Sequence, residues 1–201
     1  MSPKLLLATH NPGKIVELEA LLGGLEVELV SLRDLEIGEK AAETGETYHA
    51  NAVLKARFYA ERSGLPALAD DSGLEVDALG GAPGVSSARY LAEPGATDAD
   101  RRRFLLEQLA PHPRPWTARF RCVVAAAFPD GRLLTGEGAC EGVIVSEERG
   151  AGGFGYDPVF ELANGRTMAE LGEAEKNRVS HRGRGVRDLL EKHGSDFQKD
   201  K

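Results

Sequence analysis

The chain has 201 residues, 41% of them hydrophobic and 28% charged, with a formal net charge of -7 at pH 7. That length suffices for a substantial buried core in one domain, or in two lobes sharing a core. The acidic balance argues against a broad electrostatic grip on nucleic acid, and no run approaches the roughly 18 apolar residues of a membrane span. An anionic ligand must therefore be held by a local cluster of cations or through a metal. Cys122 and Cys140 sit in strand-like sequence without metal-ligand spacing and read as core thiols. The N-terminus lacks the pattern of a signal peptide, and the expected compartment is the cytoplasm.

Leu5-Leu6-Leu7-Ala8 predicts a central strand and Thr9-His10-Asn11-Pro12-Gly13-Lys14 a tight loop. A helix follows over Ile15–Leu22, closed by Gly23-Gly24, with Ile15, Leu18 and Leu22 on its packed face. Strand, glycine-containing loop, then helix is the arrangement that aims backbone amides at phosphate. Lys14 stands in the first helical turn, where the helix dipole disfavours a cation, and so answers an anion. The loop lacks Walker A spacing, and a plain strand-to-helix connection is the alternative. Leu25, Val27 and Leu29 alternate as a second strand, and residues 31–46 read as an irregular acidic loop containing Glu43 and Glu46.

Thr47 caps a predicted helix from Tyr48 to about Arg62, ended by Ser63-Gly64. Thr47, Asn51 and Lys55 form a polar stripe at i, i+4 and i+8 on a largely apolar cylinder, facing either a cleft or a narrow strip of solvent. Next comes Ala69-Asp70-Asp71-Ser72-Gly73, expected where one strand breaks and another begins. Adjacent carboxylates raise each other's pKa unless cations or donors offset the repulsion. They suit either magnesium with substrate phosphates or an Asx-type turn.

Residues 80–90 read as a Gly/Pro-rich loop. Thr97 caps a helix from about Asp98 to Leu109, with Phe104, Leu105 and Leu109 inward and Arg101-Arg102-Arg103 on the wet side. A hairpin follows, its first strand from Ala118 to Phe128, its turn at Pro129-Asp130-Gly131, and its second strand bent by glycines. In Gly150–Pro158, Phe154 and Tyr156 lie among glycines. They suit either stacking on a planar ligand or anchoring of the loop to the core. A last helix is expected from about Arg184 to Lys192, with Ser180 as a cap, and the polar residues 195–201 as a frayed tail behind a single domain of residues 1–194.

Together these stretches form a recognisable set. Thr9–Lys14, Glu43-Thr44-Gly45, Asn51–Ala56, Ala69–Gly73, Gly81–Gly84 with Ser87–Tyr90, Gly152–Pro158 and Ser180–Gly183 occur in one order. The chain resembles the non-canonical purine nucleotide pyrophosphatases, also called inosine/xanthosine triphosphate pyrophosphatases, from about Leu5 to Glu191. The resemblance implies an α/β fold with a long mixed sheet flanked by helices, two lobes and a central substrate cleft, in a homodimer. It also implies magnesium-dependent hydrolysis of ITP, dITP and XTP to the monophosphate and pyrophosphate.

By motif position, Asp71 is the implied catalytic carboxylate and metal ligand, with Glu43 as second ligand and Glu46 close by. Ser72 stands beside the substrate. Thr9, His10, Asn11, Pro12, Gly13 and Lys14 are implied to cradle the triphosphate, reached also by Lys55. Phe154, Gly155, Tyr156, Asp157, Lys176, His181 and Arg182 are implied to hold the base and nearby groups. The competing readings are a pyrophosphatase for other modified or ordinary nucleotides, and a non-catalytic nucleotide sensor.

Overall fold

A computed structural model describes residues 2–198 of the chain. Six strands form one mixed sheet: β1 (Lys4–Leu7), β2 (Glu28–Ser31), β3 (Ala67–Val76), β4 (Trp116–Ala127), β5 (Leu133–Ile144) and β6 (Phe160–Glu161). Their order is β2-β1-β3-β4-β5-β6. β1 pairs in parallel with β2 and β3, whereas β5 and β6 are antiparallel. The helices are α1 (Pro12–Leu22), α2 (Tyr48–Ser63), α3 (Asp98–Leu109), α4 (Glu173–Val179) and α5 (His181–His193). The chain divides into two compact units: Met1–Asp71, Cys122–Gly138 and His181–Lys201 in the first, Ser72–Arg121 and Ala139–Ser180 in the second. β3, β4 and β5 contribute residues to both.

In the first unit both faces of the sheet are covered. Successive strand residues point to opposite faces. Leu5, Leu7, Leu68, Cys122 and Val124 pack with Leu18 and Leu22 of α1 and with Val186 and Leu189 of α5. Leu6, Ala8, Ala67, Ala69 and Val123 face the other way and pack with Ala52, Ala56 and Tyr59 of α2. Double coverage is why these strands read as unbroken apolar runs. Each fully buried leucine contributes about 1.5–3 kcal/mol.

The local signals explain the helix ends. Asn11 caps α1 by accepting from Lys14 N, with Pro12 in the first turn. Thr47 caps α2 by accepting from Ala50 N, and Gly64 closes it in the left-handed conformation.

Three expectations are corrected in this unit. The anticipated break at Asp70-Asp71-Ser72-Gly73 does not occur, because β3 runs through it as a ten-residue strand. A strand can carry adjacent carboxylates here because the pleat sends them to opposite faces, where different cations meet them. The last helix starts at His181, not near Arg184, and a short α4 precedes it. The anticipated frayed tail begins instead with a 3-10 helix, Gly194–Gln198, whose Phe197 is buried against Phe128. Residues 199–201 of that tail lie outside the described residues.

In the second unit one face of the sheet is covered. Leu74, Val76, Phe120, Cys140 and Ile144 pack with Leu105 and Leu109 of α3 and with Tyr156 and Phe160. The opposite face carries a cross-strand ladder, in which Arg119 meets Asp77 at 2.9 Å and Glu141 at 3.1 Å, and Arg121 meets Glu75 at 2.9 Å. Partly exposed pairs of this kind contribute roughly 0–1 kcal/mol each. Thr97 and Asp100 close a capping box on α3. Phe104 is only half-buried, edge-on to Tyr90.

Candidate active site

The triphosphate loop expected at Thr9–Lys14 joins β1 to α1 in the first unit. Thr9 Oγ1 accepts from Asn11 N at 3.2 Å, and Asn11 Oδ1 accepts from Lys14 N at 3.2 Å. These side chains shape the turn and leave the helix N-terminus as a positive end suited to phosphate. His10 Nε2 lies 3.1 Å from the Glu39 carbonyl oxygen, so this ring stitches the loop to the acidic segment that follows β2.

Asp70 and Asp71 use the two faces of β3 differently. Asp71 points toward α2. Lys55 Nζ lies 2.8 Å from Asp71 Oδ1 and 2.9 Å from Glu43 Oε1, so one ammonium joins two carboxylates. Asn51 Nδ2 donates to Asp71 Oδ2 at 3.3 Å, while Asn51 Oδ1 accepts from Gly45 N at 2.8 Å. Gly45 has no room for a side chain, since a Cβ would come within 2.7 Å of Ala50 Cβ and Asn51 Oδ1. The Glu43-bearing loop is thereby pinned to α2. The polar stripe of α2 therefore turns inward, with Asn51 and Lys55 buried. Of the two acidic candidates, Glu43 is the one drawn into this group.

Asp70 points toward α1 and α5. Its Oδ2 lies 3.0 Å from both Lys14 Nζ and Arg182 Nη2. Arg182 also pairs with Glu17 of α1. The anion answered by Lys14 in this chain is thus Asp70. Asp70 Oδ1 is buried and accepts no hydrogen bond among the described residues.

The electrostatics separate the two aspartates. Burial pushes the Asp71 carboxyl above its ordinary 3.8, and Lys55 and Lys14 offset only part of that. Burial opposes ionisation of Asp70 as well, but Arg182, Lys14 and Lys55 outweigh it and hold the carboxyl far below the usual range. Lys55 is raised, because Asp71 and Asp70 together overcome the desolvation that burial imposes on it. One aspartate is therefore a permanent anion and the other a comparatively basic carboxylate. That is the division expected of a structural acid and a proton acceptor.

Counting Glu17, Glu43, Asp70 and Asp71 against Lys14, Lys55 and Arg182 leaves one excess negative charge. A triphosphate adds several more, so its binding calls for a further cation. Two carboxylates completed by phosphate oxygens and water is a donor set that suits magnesium. Glu43 and Asp71 fit that description.

The second unit carries the remaining candidates. Lys176 Nζ lies 2.6 Å from Asp157 Oδ2 and 4.9 Å from the centroid of the Phe154 ring, a cation–π distance. The same Asp157 oxygen accepts from Phe154 N at 2.9 Å. Gly153 has φ +71°, and a Cβ there would collide with the Asp157 carboxylate, so only glycine permits this closure. Tyr156 is buried and its hydroxyl donates to the Ser87 carbonyl oxygen at 2.9 Å, which makes it the loop's anchor. Ser72, half-buried in β3, also belongs to this unit.

The candidates expected around the base are drawn from both units. Phe154, Gly155, Tyr156, Asp157 and Lys176 share the second unit, while His181 and Arg182 belong to the first. Arg182 is fully buried with its guanidinium on Glu17 and Asp70, not held out as a base contact. Other participants were not foreseen. Glu17 could have been found as an acid three residues beyond Lys14 and beside the apolar face of α1. Asn51 was visible in the polar stripe. Arg102 was expected to be solvated, yet its guanidinium reaches the Gly155 carbonyl oxygen at 2.8 Å.

Comparison with known proteins points one way. A family model described as the Ham1 family matches residues 5–192. A protein from Desulforamulus reducens named dITP/XTP pyrophosphatase is 49% identical over 191 residues, covering 94% of each chain. One of the same name from Thermus thermophilus is 50% identical over 191 residues, covering 94% of this chain and 90% of that one. Among solved structures, a HAM1 protein from Coxiella burnetii superposes with a TM-score of 0.85 at 42% identity, covering 96% of this chain and 99% of that one. With the family model matched over residues 5–192 and relatives about half identical across nearly its full length, this chain belongs to the Ham1 family.

Proposed function

We propose that this chain hydrolyses non-canonical purine nucleoside triphosphates (ITP, dITP and XTP) to the monophosphate and pyrophosphate, and so removes deaminated purines from the nucleotide pool. The observation that carries the reading is the buried Asp71–Lys55 pair with Asn51, reached from the surface by the exposed Glu43, in a chain whose relatives are named dITP/XTP pyrophosphatases. A water oxygen attacks the α-phosphorus. The bond from that phosphorus to the α,β-bridging oxygen breaks, and pyrophosphate leaves with the bonding pair. Asp71 takes the proton of the attacking water, a role that its raised pKa supports. Lys55 and Lys14 stabilise charge on the phosphates, and the N-terminus of α1 offers backbone N–H groups to them.

Glu43 and Asp71 would hold a magnesium ion, which when bound neutralises phosphate charge and favours departure of pyrophosphate. Asp71 accepts from Lys55 at one oxygen and from Asn51 at the other, which fixes the orientation of the carboxylate. In the second unit, Phe154 offers a face to the base and Lys176 a donor to a 6-oxo group. Adenine carries a 6-amino donor at that place, which would face the Lys176 ammonium donor to donor, a mismatch that discriminates strongly. The family resemblance supports a homodimer. A cytoplasmic enzyme is in keeping with two buried thiols that form no disulfide and with the lack, among the described residues, of a helix long and apolar enough to cross a membrane.

The test is pyrophosphate release from dITP and XTP beside dATP and dGTP, with and without magnesium. Magnesium-dependent release from dITP and XTP, with little from the other two, is expected. Equal release from all four would discard the base selectivity, phosphate in place of pyrophosphate would discard the cleaved bond, and no release would favour a nucleotide sensor.

A further inference from the structure

The loop that carries Phe154 and Asp157 is held from outside by α3. Gly155 sits between them in the left-handed region, at φ +61°. Its N–H donates to Asp98 Oδ2 at 2.8 Å, and its carbonyl oxygen accepts from Arg102 Nη1 at 2.8 Å. Both polar groups of one peptide position are thus taken by side chains four residues apart on one helix, the spacing that puts them on one face. Arg102 is itself held, since its Nε and Nη2 make a two-pronged pair with Glu148 at 2.8 Å each. Asp98 is steadied by Arg101 at 2.7 Å. The guanidinium is largely buried, with its side chain 12% exposed, so these are charge-assisted bonds in poor competition with water.

We propose that Asp98 and Arg102 are positioning residues for nucleobase recognition. They grip the Gly155 peptide and thereby set the Phe154 ring and the Asp157–Lys176 pair, without touching the substrate. The inference rests on the reading that this loop receives the base. Arg102 is the more telling of the two, because its planar fork holds both Glu148 oxygens and the Gly155 carbonyl oxygen in fixed directions, a geometry that a lysine ammonium does not reproduce. Because the grip acts on the base loop alone, its loss weakens recognition of the base and leaves the phosphate chemistry intact.

The experiment compares the parent enzyme with Arg102→Ala, Arg102→Lys and, as a control on the same helix, the exposed Arg103→Ala. Steady-state kinetics with dITP and dGTP, and inhibition by inorganic tripolyphosphate, are measured for each. Loss of a charge-assisted hydrogen bond corresponds to roughly a tenfold or larger change in affinity. Arg102→Ala is therefore expected to raise KM for dITP about tenfold, to keep kcat within about twofold, and to narrow the preference for dITP over dGTP. Tripolyphosphate, which has no base, should inhibit it as it does the parent, and Arg103→Ala should match the parent throughout. Hydrogen exchange of residues 150–157 should speed up in Arg102→Ala while α3 stays protected.

Should Arg102→Ala not fold, Arg102→Lys carries the test, with a smaller rise in KM for dITP and tripolyphosphate inhibition again unchanged. A parent that turns over dITP beside an Arg102 variant with unaltered KM and selectivity would overturn this inference alone, as would an equal loss of tripolyphosphate inhibition. A parent without turnover would overturn the base-loop reading and this inference together.

Discussion

At the residue scale, the two adjacent aspartates do opposite work because one pleat separates them. Asp71, raised by burial and only partly offset by lysines, is the one able to take a proton. Asp71→Asn keeps the size and the hydrogen bond to Asn51 but cannot accept that proton. Its kcat should fall by roughly 10²–10⁴-fold or more, with a lower melting temperature because the buried Lys55 loses its charged partner on β3. Pyrophosphate release and a melting curve check this, and a folded variant of nearly full activity would remove Asp71 from its role.

Asp70 has the opposite sign. Its folded pKa lies below the ordinary 3.8, so its stabilisation is fully present above that value and is lost as pH falls through the folded pKa. Asp70→Asn removes the carboxylate that Arg182 and Lys14 share, and removing one member of a buried pair costs about 3 kcal/mol or more. Urea unfolding should show that deficit at pH 7 and a shrinking difference between parent and variant below about pH 4.

At the element scale, the close approach of α5 to β5 carries the geometry of Arg182. Gly136 and Gly138 face the backbone of α5, and a Cβ on Gly138 would collide with the His181 carbonyl oxygen and Gly185 N. α5 delivers Arg182 to Asp70 and Glu17 from the turn that rests there. Gly138→Ala should therefore cost about 1–3 kcal/mol as overpacking and should also lower kcat by disturbing Lys14, which shares Asp70 with Arg182. Unfolding measurements with kinetics on the folded fraction test both. Ala on the exposed Gly24, which meets nothing within 4 Å, is the matched control. The sequence shows these glycines only as weak points in a strand. What they admit is a helix backbone contributed from more than forty residues further along the chain.

At the scale of the whole molecule, the candidate residues divide by chemistry as the chain divides by compactness. The aspartates, Lys14, Lys55 and Glu43 lie in the unit built from Met1–Asp71, Cys122–Gly138 and His181–Lys201, while Phe154, Asp157 and Lys176 lie in the other. Substitutions in the two sets should therefore have different kinetic signatures. Lys55→Met should lower kcat/KM for dITP and dGTP by similar factors, because both carry the same triphosphate. Lys176→Met should lower it mainly for 6-oxo purines, narrowing the gap to dATP. A four-substrate panel on both variants checks the division, and a base-dependent loss in Lys55→Met would refute it.

Much was legible in the chain itself, because it is written in short-range physics. The ends of α2 and α3 follow from Thr47, Gly64 and the Thr97–Asp100 box, and the doubly covered strands from unbroken apolar runs. The ordered motifs from Thr9 to Gly183 named the family. Tertiary structure alone decided how the charges are used. Nothing local says that Asp70-Asp71 continues a strand, because only remote cations make two buried carboxylates tolerable there. Nor does sequence assign Arg182 to Asp70 and Glu17, or Arg102 to Gly155, since partners 112 and 53 residues away meet only when the chain is packed. Caps and periodicity are read within a turn or two of the backbone. Pairing of buried charges is settled by which side chains the fold brings within about 3 Å.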